Sequence, residues 1–346
     1  MKKIFIGIDF SKEKFDATVI KVEGVEERAA RQHEVFDNKV GGFRRLLKWV
    51  RNVVEEQDAS LWLFCGENTG GYSKALCNYL YGCGYDMWLE NALSIKRSSA
   101  LQRVKSDKAD SGISAEYAMR NYDQMRLHKP LSRNLERLRE VFLFRHNLVK
   151  LKASMMTRKG EKQLTQEKSD ISRFMAMSSK HLISEFNKKI AECDKRIQQI
   201  IDEDEELQRN FEIITSVPGV GIQNAVCLMV YTDNFGRFDY DSRKIACYYG
   251  VAPFGRQSGT SVNTPAHVSP FANKLIKSLL TQAALASVNF CPKMAIYYHR
   301  LVEAGKKKQV AVNNVKNKLL HVIIAMVRKG EKYNPDYDYH AAIEAA

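Results

Sequence analysis

A chain of 346 residues with 45% hydrophobic side chains can build two or three domains with cores of their own, and it is not a disordered or low-complexity polypeptide. Its 54 Lys and Arg against 40 Asp and Glu give a formal charge of +14, which favours a polyanionic partner, nucleic acid or a membrane surface. The seven cysteines form no CxxC pair and no zinc-like spacing with His, and no signal peptide or long apolar run is present, so buried thiols in a cytoplasmic chain without a membrane span are expected.

In chain order, residues 3–9 (KIFIGID) read as a buried strand, 15–22 as an alternating second strand and 33–36 as a short third. Residues 39–57 carry Phe43, Leu46, Leu47, Val50, Val53 and Val54 at near-helical spacing. LWLF (61–64) is a strand, 71–82 a helix and YDMWL (85–89) a strand, followed by helical stretches from 92 to 127. Three strands, then helix, strand, helix, strand, helix is the order of an α/β RNase H-like fold. Residues 131–159 and 181–209 read as long helices. Leu135, Phe142, Val149 and Met156 repeat at seven in the first. Ile183, Ile190 and Ile197 alternate with Phe186, Cys193, Ile200 and Leu207 in the second. With a polar break over 160–172, they are expected to form an antiparallel coiled-coil hairpin, or to pair with a second subunit through 183–207. A mostly helical domain then starts at IITSVPGVG. The expected division is 1–127, a helical middle 128–210, a C-terminal domain 211–333 and a peripheral tail 334–346.

The charge is unevenly distributed. Residues 1–125 carry 19 basic and 18 acidic side chains, 126–210 carry 19 and 13, and 211–346 carry 16 and 9. The N-terminal region thus keeps its carboxylates. Asp9 ends the first strand, where burial costs desolvation unless a cation or a capped turn compensates. Glu67 follows the LWLF strand in CGENTGGY, a glycine-rich turn that also reads as an ordinary strand-to-helix connection. Asp107 and Asp110 in SDKAD fall on one helix face, where like charges repel, so the pair reads better as half of a metal cage than as helix stabilisation. Lys105 and Lys108 beside them hold phosphate or neutralise the carboxylates. Four carboxylates on the expected elements of one such fold suit two hard cations, Mg²⁺ or Mn²⁺, and phosphodiester chemistry.

In SVPGVGIQNA, Gly219 and Gly221 resemble the turn of a helix-hairpin-helix, which offers backbone N–H groups to phosphate. A purely structural turn is the alternative. GVAPFGRQSG places Ser258 beside Arg256 ahead of a polar loop, and Lys274, Lys277 and Lys306–Lys308 extend a basic surface. On the residues alone, Ser258 is a solvated loop serine.

Taken in order, GIDFSKEKFDATV, GENTGGY, KSDKADS, SVPGVGIQNA, YYGVAPFGRQSG and the helix at 271–287 resemble the insertion-sequence 110 family of transposases, which includes site-specific invertases and RNA-guided recombinases. The resemblance implies a RuvC-like DEDD domain with Asp9, Glu67, Asp107 and Asp110 as the tetrad, and a C-terminal transposase domain with Ser258 as nucleophile. It further implies DNA as substrate and a structured guide RNA in some members; cutting and rejoining four strands with one site per protomer then leads one to expect a dimer or tetramer on paired DNA. One departure stands out: Val268-Ser269-Pro270-Phe271-Ala272-Asn273-Lys274 occupies the place of a basic, glycine-bearing patch, which leaves Ser269 as a rival nucleophile. Three other readings compete. They are a site-specific invertase, a branched-DNA nuclease using metal-activated water, and a non-enzymatic nucleic-acid binder, against which the carboxylate set speaks.

Overall fold

The computed structural model describes residues 4–22, 31–55, 57–98, 107–165, 170–258, 262–268 and 272–336. They divide into two compact units, Met1–Pro130 and Leu131–Ala346.

The first unit is a five-stranded sheet between helical layers. Its strands are β1 (Ile4–Phe10), β2 (Lys14–Lys21), β3 (Arg31–Asp37), β4 (Trp62–Glu67) and β5 (Met87–Glu90), and its helices α1 (Val40–Val53), α2 (Gly71–Gly82), α3 (Ala92–Ser98) and α4 (Asp107–Asn121). The spatial order is β3-β2-β1-β4-β5, with β1, β2 and β3 antiparallel and β1, β4 and β5 parallel. Strand pleating sorts the side chains. Ile4, Ile6, Ile8 and Phe10 join Phe15, Ala17, Val19, Trp62 and Phe64 under α1 and α2. Phe5, Leu63, Cys65 and Trp88 face the other way, against Ala118 of α4. Gly7 sits where α4 crosses β1: a Cβ there would lie 2.0 Å from the Ser111 carbonyl oxygen and 2.3 Å from the Ala115 nitrogen. Only a residue without a side chain lets the helix backbone rest on the strand backbone.

The second unit is mostly helical: α5 (Arg133–Thr165), α6 (Asp170–Asp202), α7 (Glu205–Thr215), α8 (Ile222–Thr232), α9 (Ser242–Tyr248), α10 (Lys274–Phe290), α11 (Pro292–Glu303) and α12 (Lys308–Lys329), with a two-stranded antiparallel hairpin of β6 (Pro253–Ser258) and β7 (Val262–Val268). One core joins Leu135, Leu138 and Phe142 of α5 and Ile197, Ile200 and Ile201 of α6 to residues of α7 through α12. Arg145 clasps Asp194 through Nε at 2.6 Å and Nη2 at 3.1 Å, and Arg137 meets Glu203 at 2.6 Å, so α5 and α6 run antiparallel.

The seven-residue repeat expected for α5 stops at Phe142. Val149 and Met156 are exposed, and Leu148 is buried in their place. A straight helix of 3.6 residues per turn drifts off a heptad by about 20° per repeat, and the buried line follows the helix. The expected single helix over 181–209 is two, because Asp204 breaks it and caps α7 by accepting from the Leu207 nitrogen at 3.2 Å. The polar segment 160–172 lengthens both helices: α5 runs to Thr165 and α6 starts at Asp170. Helix α12 is long and apolar enough to cross a membrane by length and composition, but Val315, Leu319, Leu320, Ile323 and Ile324 on it are core residues.

Candidate catalytic centre

The three parallel strands each carry an acid in their last two residues. Asp9 stands near the end of central β1, Glu67 closes β4 and Glu90 closes β5. Asp9 pairs across the ladder with Asp16 of β2, and Glu67 with Glu90. Ile8 pairs with Gly66, so the next step of the parallel register sets Asp9 beside Glu67. The four carboxylates therefore form one transverse row over four adjacent strands. By the pleat, the row lies on the face of Phe5, Gly7, Leu63 and Cys65, which α4 covers. The carboxyl ends of parallel strands are where open α/β sheets place their ligands.

Like charges facing each other across strands destabilise a sheet, and the outer two members have partners. Asp16 is 2.7 Å from His33 Nε2. Glu90 accepts from the Tyr117 hydroxyl of α4, whose pKa is pushed up to about 12 by burial first and by the Glu90 charge second. Glu90 is a carboxylate that the motif reading missed. Its signal was present in the sequence, since YDMWLE ends on an acid as IGID and LFCGE do.

Helix α4 begins with Asp107, and Asp110 follows within its first turn. That location gives the pair a local explanation that its spacing alone did not, because the positive end of a helix stabilises carboxylates. Ser111, the next residue, is fully buried. Its Oγ is 2.7 Å from Thr18 Oγ1 of β2 and donates to the Lys108 carbonyl at 3.1 Å. The first turn of α4 is thereby tied to the sheet on the same face as Asp9 and Glu67. Asp107 is described through its backbone, Lys108 is exposed, and Lys105 lies outside the described residues. Among the described residues, no three His, Cys, Asp or Glu side chains stand close enough to share a metal ion. The donor chemistry still suits a hard cation: carboxylate oxygens on rigid, adjacent strands and a pinned helix turn.

In the second unit, Ser258 is the last residue of β6 and pairs with Val262, so it stands at the tip of a hairpin and not in the loop expected for it. Short strands of Arg, Gln, Ser, Asn and Thr carry no apolar alternation, which hid the hairpin. Arg256 pairs with Thr264 two residues back along β6. Ser269 lies outside the described residues, just past Val268, which pairs with Pro253 at the opposite end of the hairpin from Ser258. The two glycines of SVPGVG differ. Gly219 has φ +90°, and a Cβ on it would meet the Ser287 nitrogen of α10 at 2.3 Å, while Ser287 donates to the Pro218 carbonyl at 2.9 Å. Helix packing accounts for that glycine without a phosphate. Gly221 is exposed with open space around it, and it precedes α8. Lys274 is exposed at the start of α10, after Asn273, which caps the helix through the Leu275 nitrogen at 2.9 Å.

Residues 6–167 match the family model of the DEDD transposase domain of IS110, and residues 211–299 match that of the transposase IS116/IS110/IS902 family. The chain belongs to the insertion-sequence 110 family of transposases. It is an enzyme of the DNA transposase and recombinase class. Among this family's relatives, the pilin gene-inverting protein of Moraxella bovis is 25% identical over 341 residues, covering 96% of this chain and 98% of that protein. The pilin gene-inverting protein of Moraxella lacunata matches with the same identity and coverage. The 43.6 kDa protein of insertion element IS110 from Streptomyces coelicolor is 31% identical over 121 residues, 35% of this chain and 29% of that protein. The two family matches between them take in all four carboxylates of the tetrad reading as well as Gly219, Gly221, Arg256, Ser258, Ser269 and Lys274.

Proposed function

We propose that this transposase cleaves and rejoins DNA strands with a carboxylate centre of Asp9, Glu67, Asp107 and Asp110 in an RNase H-like, RuvC-like unit, and with Ser258 as nucleophile. The observation that carries the reading is the register: Asp9 and Glu67 at the ends of adjacent parallel strands, on the face against which the first turn of α4 is pinned. Those four carboxylates would hold Mg²⁺ or Mn²⁺, which when bound stabilises charge on the scissile phosphate. The Ser258 hydroxyl attacks phosphorus, the phosphodiester bond breaks, and the departing DNA oxygen takes up the proton. The ester keeps the bond energy, so the hydroxyl of a new strand reverses the step without ATP. Arg256, two residues away on the same strand, steadies the phosphate oxygens. A hairpin suits such a nucleophile because the strand ladder fixes the backbone at Ser258.

Full-length similarity to pilin gene-inverting proteins favours site-specific inversion as the biological outcome, with transposition as the alternative. A structured guide RNA, sequenced from the purified protein and found to match DNA beside the gene, would identify an RNA-directed member. The reading puts the enzyme in the cytoplasm, as a dimer or tetramer on paired DNA.

The test is a suicide substrate carrying DNA that flanks the gene. A protein–DNA adduct mapped to Ser258 by mass spectrometry, absent from Ser258→Ala and from Asp9→Asn, is expected. An adduct on Ser269 moves the nucleophile. Strand cleavage by Ser258→Ala at the normal rate, with no adduct, establishes the metal-activated water of a branched-DNA nuclease instead.

A further inference from the structure

Among the described residues, Lys316 of α12 is the charged side chain that the core encloses, at 8% exposure. Burying an ammonium costs several kcal/mol unless a counter-charge compensates. No described carboxylate pairs with it. Its Nζ donates to Thr281 Oγ1 of α10 at 3.3 Å, and Thr281 spends its own proton on the Lys277 carbonyl at 2.7 Å. Lys277 stands one helical turn before Thr281, so its charge adds to that of Lys316 where an acid would be expected. Burial, and then the Lys277 charge, lower the Lys316 pKa from the ordinary lysine range. Neither α10 nor α12 has an acid in its first turn, and Lys274 and Lys277 both sit at the positive end of α10, against the helix dipole. One turn before Lys316, Asn313 donates to the Val251 carbonyl at 2.9 Å, two residues ahead of the strand that carries Ser258. A protein core gains nothing from two cations brought together without a carboxylate, whereas an oxyanion would satisfy both, with Thr281 holding the Lys316 ammonium by accepting from it.

We propose that Lys277, Thr281 and Lys316 form a seat for one phosphodiester group of bound nucleic acid, at the root of the Ser258 hairpin. The inference rests on the reading above that this chain binds DNA. Each lysine engaged with phosphate releases about one counterion, which shows in the salt dependence of binding.

The experiment uses the full chain and its Lys316→Met, Lys277→Met, Lys277→Arg and Thr281→Val variants. Anisotropy of labelled random-sequence duplex DNA, and of duplex RNA, is followed at rising NaCl, beside thermal melting. For Lys316→Met and Lys277→Met, the slope of log affinity against log salt should fall by about one unit. Affinity should drop on the order of tenfold. Lys316→Met should melt no lower than wild type, because an unpaired buried charge has been removed, and Lys277→Arg should keep the slope. A fall on DNA, on RNA or on both supports the seat and names its source. Unchanged slopes for both methionine variants overturn it. Should Lys316→Met fail to fold, Lys277→Met decides by the same slope and affinity, and Thr281→Val by affinity at an unchanged slope. A wild type that binds neither polymer in a salt-dependent way overturns the DNA-binding reading itself, a different failure from variants that bind as wild type does.

Discussion

Gly7 and Ser111 show how far single residues set the face on which Asp9 and Glu67 stand. A side chain at Gly7 would overlap backbone atoms of α4, which cannot swing aside as a flexible side chain would. Gly7→Ala should therefore cost about 3 kcal/mol or more and lower the melting temperature of the N-terminal unit by several degrees. A variant that melts as wild type does would show that α4 does not rest on β1. Removing the Thr18–Ser111 hydrogen bond is milder: Ser111→Ala should cost about 1–3 kcal/mol, since it strands the buried Thr18 hydroxyl, Thr18→Val about 1 kcal/mol, since Ser111 keeps its bond to the Lys108 carbonyl, and the double variant less than their sum. Both single variants should also raise the Mg²⁺ concentration needed for half-maximal cleavage, because they loosen the turn that carries Asp107 and Asp110. Lost stability with an unshifted Mg²⁺ requirement would make the contact purely structural. The motif reading named Asp9, Glu67, Asp107 and Asp110 from type and spacing, and the proposed centre rests on that reading. It could not announce the Thr18–Ser111 contact, which joins positions 93 residues apart, nor the partnership of Glu90 with Tyr117.

Among the elements, the most legible were those with a clear apolar pattern. Helix α1 falls within a few residues of its periodic pattern because one face of it is core, and β1 was legible as a continuous apolar run because both its faces are buried. The polar β6–β7 hairpin was illegible for the converse reason, and the heptad count, which holds along α6 through Cys193, Ile197 and Ile200, fails in α5 beyond Phe142, where that helix keeps its own pitch. This changes where a second subunit would bind. Ile197, a heptad position, is fully buried within its own unit, so Ile197→Asp should unfold that unit and not merely separate protomers. The distal part of α6 instead exposes Ile171 at 72%, Phe174 at 70% and Met177 at 68%. Large apolar side chains exposed together mark association surfaces. Phe174→Asp with Met177→Asp should thus give a monomer by light scattering, with helix content and melting temperature unchanged. A wild type that is monomeric with and without DNA would remove the assembly reading.

The two units differ in charge, and on the proposed reading they divide the labour by it. Residues 1–130 carry 21 basic against 18 acidic side chains, and residues 131–346 carry 33 against 22. A centre that gathers carboxylates repels the DNA backbone, so the attraction that brings DNA to it must come from elsewhere in the chain. The second unit has that excess, and its core closes on itself from Leu135 to Val327, so it should fold as a fragment. Fragment 131–346 is then expected to bind duplex DNA with affinity falling steeply between about 50 and 200 mM salt, since neutralised phosphates release condensed counterions. Fragment 1–130 should bind weakly by itself and gain affinity when Mg²⁺ or Mn²⁺ is added, because a cation between carboxylate and phosphate turns repulsion into a bridge. That metal-dependent gain should vanish in Asp9→Asn. Anisotropy on one labelled duplex measures both fragments. Salt-independent binding by 131–346, or strong metal-free binding confined to 1–130, would contradict this division of labour.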